Sequence, residues 1–384
     1  MKEKLNAAYD KHYRLMLILP AILLVISLFY ISHLYFTTGD IMRKDVSLTG
    51  GTTITVYDGK VDVEDLEKSM SSKLVDISVT KLSDISTGNT IGFVLATQSE
   101  ENLTQISLEN YLGYKLNSTN SGVEFSGSTL SSGFYQQLLQ SMILAFIFMS
   151  LVVYLVFGTS KHTKAFAAIL TAVAAKLTFP SVAVISVTAA ICAICAVVAA
   201  FYYSKNKKEY ILCGILAIFA IITFIFPNYY FMILALPTLI IIYLVYSIPS
   251  MAVITCAFAD IVMTLFVVDL IGMKVSTAGI VAFLMLIGYS VDTDILLTTR
   301  VLKMTSGTVN ARILGAFKTG VTMSLASFIA VLVGYIIARN FSDVLSQIFL
   351  ILCIGLLLDI FNTWVTNASL IKWYVEHKKG ADTK

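Results

Sequence analysis

The chain has 384 residues, is 57% hydrophobic and 13% charged with a formal net charge of +3, and has a mean hydropathy of +0.82, which excludes a soluble globular domain. Apolar stretches of about 20 residues recur along it, long enough to cross a lipid bilayer as helices, so the expected class is a polytopic α-helical membrane protein rather than a barrel of short strands. The cysteines Cys192, Cys195, Cys213, Cys256 and Cys353 all lie in apolar segments and the four histidines are scattered. Packing is therefore the expected role of the thiols, and no metal, other cofactor or nucleic-acid partner is expected.

The first apolar run, Leu15 to Tyr35, follows a basic segment from Lys2 to Arg14. It is too long for a signal peptide's apolar region and reads as a retained helix, closing a first unit over residues 1–35. Residues 36–137 form a long polar interval with 13 acidic and 7 basic residues, net −6. By the positive-inside rule this interval lies outside and both termini lie in the cytoplasm, giving a multi-pass protein of the cytoplasmic membrane. Within the interval, Thr52 to Tyr57 alternates as a half-buried strand. A helix begins near Val63 with Leu66, Met70 and Leu74 at spacings of three and four. Strand patterns recur at 77–82 and 91–95, a helix opens after Ser99 with Glu100 and Glu101 in its first turn and stops at Gly113, and a short strand covers 123–125. That order, βαββαβ, matches a small extracytoplasmic α+β domain of ferredoxin-like pattern.

A second membrane helix is expected at 138–159, further membrane segments forming two hairpins at 160–248, four more helices within 249–372 and a cytoplasmic tail at 373–384. Ten helices result, and eight would keep the same parity. Lys161 and Lys164, Lys205 to Lys208, Arg300 to Lys318 and the tail then fall on the cytoplasmic side.

Carboxylates inside the apolar runs carry the candidate chemistry. An Asp at mid-membrane costs about 2.5–3.5 kcal/mol, whereas each Leu, Ile or Phe returns about 0.3–0.6. Asp292 and Asp294 sit in "LMLIGYSVDTDILLTTR", Asp260 in "FADIVMT", and Asp359 with Asn362 in "LLLDIFNTW". Two residues apart on a helix is about 200° of rotation, so Asp292 and Asp294 point to nearly opposite faces. Ser290, Asp294 and Thr298 form one polar stripe, while Asp292 shares its face with Gly288. The segment "TGVTMSLAS" supplies hydroxyls, Thr322 among them. Two readings stand: a polar seam that glues helices together, or a proton or ion relay coupled to movement.

"DVSLTGGTTITV" (45–56), directly after the first membrane helix, resembles the motif that opens the extracytoplasmic domain of SecD and SecF protein-export subunits. "IGYSVDTDILLTTRVL" (287–302) resembles the SecF fourth-helix signature in its archaeal form, with "PSMAVITCAFADIV" before it and "KTGVTMSLAS" after it in the same order. The resemblance covers about residues 10–158 and 249–376. It implies a SecF-like subunit of the RND superfamily, with a six-helix bundle, working with a SecD-like subunit beside a SecY-type channel on a translocating polypeptide. Bacterial SecF carries Asn-Asp after "GYSI", where this sequence has Asp292 and Thr293 with Asp294 following, so a proton-carrying role transfers by neighbourhood only. Residues 160–248 would be an insertion.

In the opening motif, flanked by Asp45 and Thr49, Gly50 and Gly51 permit positive φ, as a simple turn or as a hinge. Asn102 and Asn117 lie in N-x-S/T sequons open to glycosylation. An intramembrane aspartyl protease would need a G-x-G-D motif that is absent, so no enzyme is expected. A small-molecule or lipid exporter of the same superfamily usually repeats the six-helix half, and a passive translocon scaffold would leave the carboxylates as glue. No P-loop sequence occurs.

Overall fold

The computed structural model describes residues 12–84, 87–158, 163–164, 167–168, 170–171 and 239–382. Helix α1 (Ile18–Thr38) continues helical turns that begin at His12. Its large apolar side chains, including Leu19, Ile22, Val25 and Phe29, are exposed, as suits a face turned to lipid. A left-handed Gly39 ends it, its N–H donating to the Tyr35 carbonyl.

A single helical turn, α2 (Val46–Thr49), leads into strand β1 (Gly51–Val56). Then follow α3 (Val63–Met70), β2 (Ser78–Ser83), β3 (Thr90–Thr97), α4 (Glu101–Leu112) and β4 (Ser121–Ser126). The four strands form one sheet in the order β2-β3-β1-β4 with every neighbour antiparallel. Ile54 faces Leu95 on one side and Val123 on the other. Strand alternation buries Ile54 and Val56 against Phe93, Leu95, Leu66, Met70 and Leu108, each large side chain contributing roughly 1.5–3 kcal/mol. Asp62 caps α3 by accepting from the Glu64 N–H, and left-handed Gly113 stops α4 where expected.

Only Gly127 separates β4 from α5 (Ser128–Phe157), so this helix starts ten residues before the apolar run expected from 138. The early turns bury a polar stripe: Ser131 shares a hydrogen bond with Ser126, and Tyr135 packs beside the α2 turn with Leu48. Hydropathy does not register such a stripe. The remaining long helices are α6 (Ile248–Leu270), α7 (Thr277–Lys303), α8 (Val309–Ala338) and α9 (Asp343–Asn362), the last running through a π-helical turn at Thr363–Asn367 into α10 (Ala368–Asp382). Six helical stretches are long and apolar enough to cross a membrane, with α9 to α10 counted as one, so this is a multi-pass membrane protein. The segments expected across 164–248 lie outside the described residues except for helical pieces, the longest at 239–246. From these, Ala167, Leu170, Leu239, Ile242 and Tyr243 pack with Tyr154 of α5 and Val253 of α6.

Helices α7 and α8 both exceed their expected bounds on the side away from the sheet. Thr308 caps α8 by accepting from the Ala311 N–H. Arg312 donates to the Val301 carbonyl and Arg300 to the Thr319 hydroxyl, bracing the short turn between the helices. The arginines interrupt the apolar pattern yet hold helical structure together. Helices α6 and α7 bury most of their length, whereas α1 and α8 are largely exposed.

Candidate functional site

At the centre of the bundle α6, α7 and α9 pack closely. A Cβ on Gly355 of α9 would lie 2.5 Å from the Leu286 side chain of α7, so glycine lets the two helices approach without displacing that leucine. The approach brings three carboxylates into one network. Asp260 on α6, Asp294 on α7 and Asp359 on α9 are each 0% exposed. Asp260 accepts from Ser290 Oγ at 2.6 Å and from Asn362 Nδ2 at 3.0 Å, and the same amide also donates to the Cys256 carbonyl. Asp294 Oδ1 accepts from Thr363 Oγ1 at 2.9 Å and from Asn367 Nδ2 at 2.8 Å. The Thr363 hydroxyl also lies 3.3 Å from Asp359 Oδ1, but it has one hydrogen and serves one carboxylate at a time. Thr298 closes the stripe 3.4 Å from Asn367 Nδ2.

The donors fall short of the acceptors. Asp294 Oδ2, Asp359 Oδ2 and Asn367 Oδ1 are buried without a hydrogen-bond partner. Among the described residues no Lys, Arg or His forms a salt bridge with any of the three carboxylates. One ligand atom from each of Cys256, Asp260 and Asp294 lies within 4.8 Å of the other two. Such a cluster has to hold compensating positive charge, whether as protons or as a metal ion.

The expected residues separate cleanly. Asp260, Ser290, Asp294, Thr298, Asp359 and Asn362 converge, while Asp292 is exposed on the opposite face of α7 beside the equally exposed Gly288, as the 200° rotation requires. Thr322 is exposed and donates to the Lys318 carbonyl, so it stands outside the network. The buried hydroxyl of α8 is Ser324, 3.5 Å from Thr293. Thr363, Asn367 and the closeness of Cys256 escaped sequence reasoning. The spacing 359, 363, 367 places the first two on the face of Asp359 and was the available signal. The π turn, in which the Ala368 N–H reaches the Thr363 carbonyl, carries no such signature.

The opening motif lies at the sheet end of the bundle. The Asp45 N–H donates to the Val275 carbonyl at 2.9 Å and the Val275 N–H to the Arg43 carbonyl at 2.7 Å, so the segment after α1 pairs with the loop between α6 and α7. Ser47 accepts from the Thr277 N–H, and Gln347 of α9 accepts from the Ser276 N–H while donating to the Lys274 carbonyl. Asp269, absent from the expected residues, accepts from Tyr30 at 2.6 Å and from the Arg43 N–H. The Thr49 hydroxyl turns back onto the Asp45 carbonyl. Gly50 and Gly51 adopt φ of 86° and 143°; a Cβ at Gly50 would lie 2.5 Å from Ser128 Cα, where the chain leaves the sheet for α5. Lys274 also bridges to Asp76, which precedes β2. The sheet is thus tied to the ends of the same three helices that carry the carboxylates. Asn102 and Asn117 are both exposed, the latter accepting from Thr119 and Asn120 in a local turn.

Residues 220–377 match the family described as protein export membrane protein SecD/SecF, C-terminal. The chain is 50% identical over 132 residues to the protein-export membrane protein SecF of Methanothermobacter thermautotrophicus, a match covering 34% of this chain and 46% of that protein. The stretch shared with that relative therefore spans about half of its length. The SecF of Pyrococcus furiosus is 24% identical over 100% of this chain and 98% of its own. In fold, the chain is similar to a Thermus SecDF described as a translocon-associated membrane protein, with a TM-score of 0.53 at 13% identity, covering 96% of this chain and 38% of that one. The chain is thus similar to SecF proteins, and residues 220–377 match the SecD/SecF C-terminal family.

Proposed function

We propose that this chain is an auxiliary, non-catalytic subunit of protein export that works with a SecD-like subunit beside a SecY-type channel. It assists polypeptides crossing the cytoplasmic membrane by using an ion gradient. The relatives named SecF support the export role. The sheet domain, residues 36–137 with net −6, faces outward with both termini in the cytoplasm. The βαββαβ order and the antiparallel sheet β2-β3-β1-β4 support a ferredoxin-like domain.

The observation that carries the mechanism is the donor-poor cluster of Asp260, Asp294 and Asp359 on helices whose outer ends are hydrogen-bonded to the stem of the sheet domain. Placing positive charge among these carboxylates changes how strongly α6, α7 and α9 repel one another. The loop at 273–276 and Gln347 then pass that change to the opening motif. A scaffold reading finds support at Asp260, both of whose oxygens already accept hydrogen bonds. Export of a secreted reporter separates the two readings, measured in cells lacking this chain and complemented with the wild type, Asp294→Asn or Asp359→Asn. Complexes that assemble but fail to restore export support coupling; full restoration by both variants leaves only the scaffold.

A further inference from the structure

We propose that the turn between α7 and α8 binds the headgroup of an anionic phospholipid, its phosphate held by Lys318, Lys303 and the open side of the Arg300 guanidinium. The site lies at the end of the bundle away from the sheet and is separate from the carboxylate seam. From Ile295 to Ser342 the sequence contains no Asp or Glu, while Arg300, Lys303, Arg312 and Lys318 crowd around this one turn. None of the four forms a salt bridge among the described residues. Arg312 is committed to the Val301 and Met304 carbonyls and braces the turn. Arg300 uses only Nη1, on the Gly315 carbonyl and on the Thr319 hydroxyl at 2.9 Å. Its guanidinium thus reaches the residue next to Lys318 with Nε and Nη2 left for a ligand.

Depth selects the class of anion. Lys318 is twenty residues from Ala338 at the sheet end of α8, about 30 Å of helix, which is about the thickness of a bilayer's hydrocarbon. Arg300 and Lys303 are 23 and 26 residues from Thr277 at the sheet end of α7, about 35 and 39 Å. The three cations therefore span the layer where lipid phosphates sit. Lys318 is also the only charge in an exposed stripe of α8 formed with Leu314, Leu325, Ile329 and Ile336, whose spacings keep them within about 40° of it. An acyl chain lies along that stripe while its phosphate meets the ammonium; a soluble anion gains nothing from the apolar run. The N-terminus of α8, with no acidic residue in its first turn, adds positive potential at the same end. The exposed carboxylate of α7, Asp292, is eight residues from Arg300, about 12 Å toward the middle of the bundle.

The test uses the full chain in a non-ionic detergent, comparing its melting temperature with added phosphatidylglycerol, phosphatidylcholine of the same acyl chains, and inorganic phosphate. The expected result is a saturable rise of at least about 2 °C with phosphatidylglycerol alone. The rise should fall by at least about half in the double variant Lys303→Gln, Lys318→Gln and persist in Lys378→Gln, an exposed lysine of α10 outside the site. An equal rise with phosphatidylcholine, a rise unchanged in the double variant, or one lost as fully in Lys378→Gln overturns the proposal. So does inorganic phosphate reproducing the rise, which would assign the cations to a soluble anion. If the double variant does not fold, spin-labelled lipids around the wild type in mixed vesicles decide: about twofold enrichment of phosphatidylglycerol over phosphatidylcholine at the protein is expected, and equal occupancy overturns the proposal.

Discussion

Replacing Asn362 by leucine keeps the branched shape of the side chain while removing the amide that links α9 to α6. Its Nδ2 donates both to Asp260 Oδ1 and to the Cys256 carbonyl at 3.0 Å, and its Oδ1 accepts from Thr366. The Thr366 hydroxyl can turn to a backbone carbonyl and the Cys256 carbonyl keeps its bond within the helix, so the stranded acceptor is Asp260 Oδ1. A hydrogen bond to a charged group is worth about 1.5–3 kcal/mol in water-soluble proteins. Inside membranes, polar contacts average about 0.6 kcal/mol because the unfolded state also finds partners. Between these limits, and with the stranded acceptor a carboxylate, Asn362→Leu should lose about 2 kcal/mol of stability. Reversible unfolding in mixed detergent micelles reads this directly. Asp292→Asn, on the exposed face, should stay within about 0.5 kcal/mol. A loss below about 0.5 kcal/mol in Asn362→Leu would refute the inference that this amide holds the network.

At the junction, Gly50→Ala combines a φ of 86° with a Cβ 2.5 Å from Ser128 Cα. About 1–2 kcal/mol of backbone strain and about 1–3 kcal/mol of overlap predict a clear drop in melting temperature, and an unchanged melt would contradict the close approach. Gln347→Ala should cost about 1–2 kcal/mol because it leaves backbone groups of the 273–276 loop unpaired. Lys274→Ala breaks a partly exposed ion pair with Asp76 and should cost less than about 0.5 kcal/mol. Equal losses from these two would mean that the loop is not held by Gln347.

Much of the architecture was legible because it rests on local periodicity. Val63 marked the start of α3, which stops at Met70 short of the expected Leu74, while the alternation around Ile54 marked β1 and Gly113 marked a stop within a residue or two. The early starts of α5 and α8 were not, since Ser131, Tyr135 and Arg312 stabilise helix through tertiary hydrogen bonds and packing rather than through apolar spacing. In the site, helical rotation alone separated Asp294 from Asp292. It did not reveal which face turned inward, which depends on Asp260 and Asn362 on other helices. Asn367 lay beyond reach because a neutral amide near a helix end has no cost that composition registers. Thr322 was expected for its hydroxyl, but it faces outward and Ser324, two residues on, faces in.

In the proposed mechanism, ion occupancy of the seam moves the sheet domain. It is tested most directly by the distance between one spin label on exposed Asn110 of α4 and another on exposed Met323 of α8. The protein, together with the proposed SecD-like partner, is reconstituted in proteoliposomes, and the distance is compared with and without an imposed ion gradient. The expected distribution shifts with the gradient in the wild type and stays fixed in Asp294→Asn. A wild-type distribution indifferent to the gradient, or the same shift in Asp294→Asn, would contradict it.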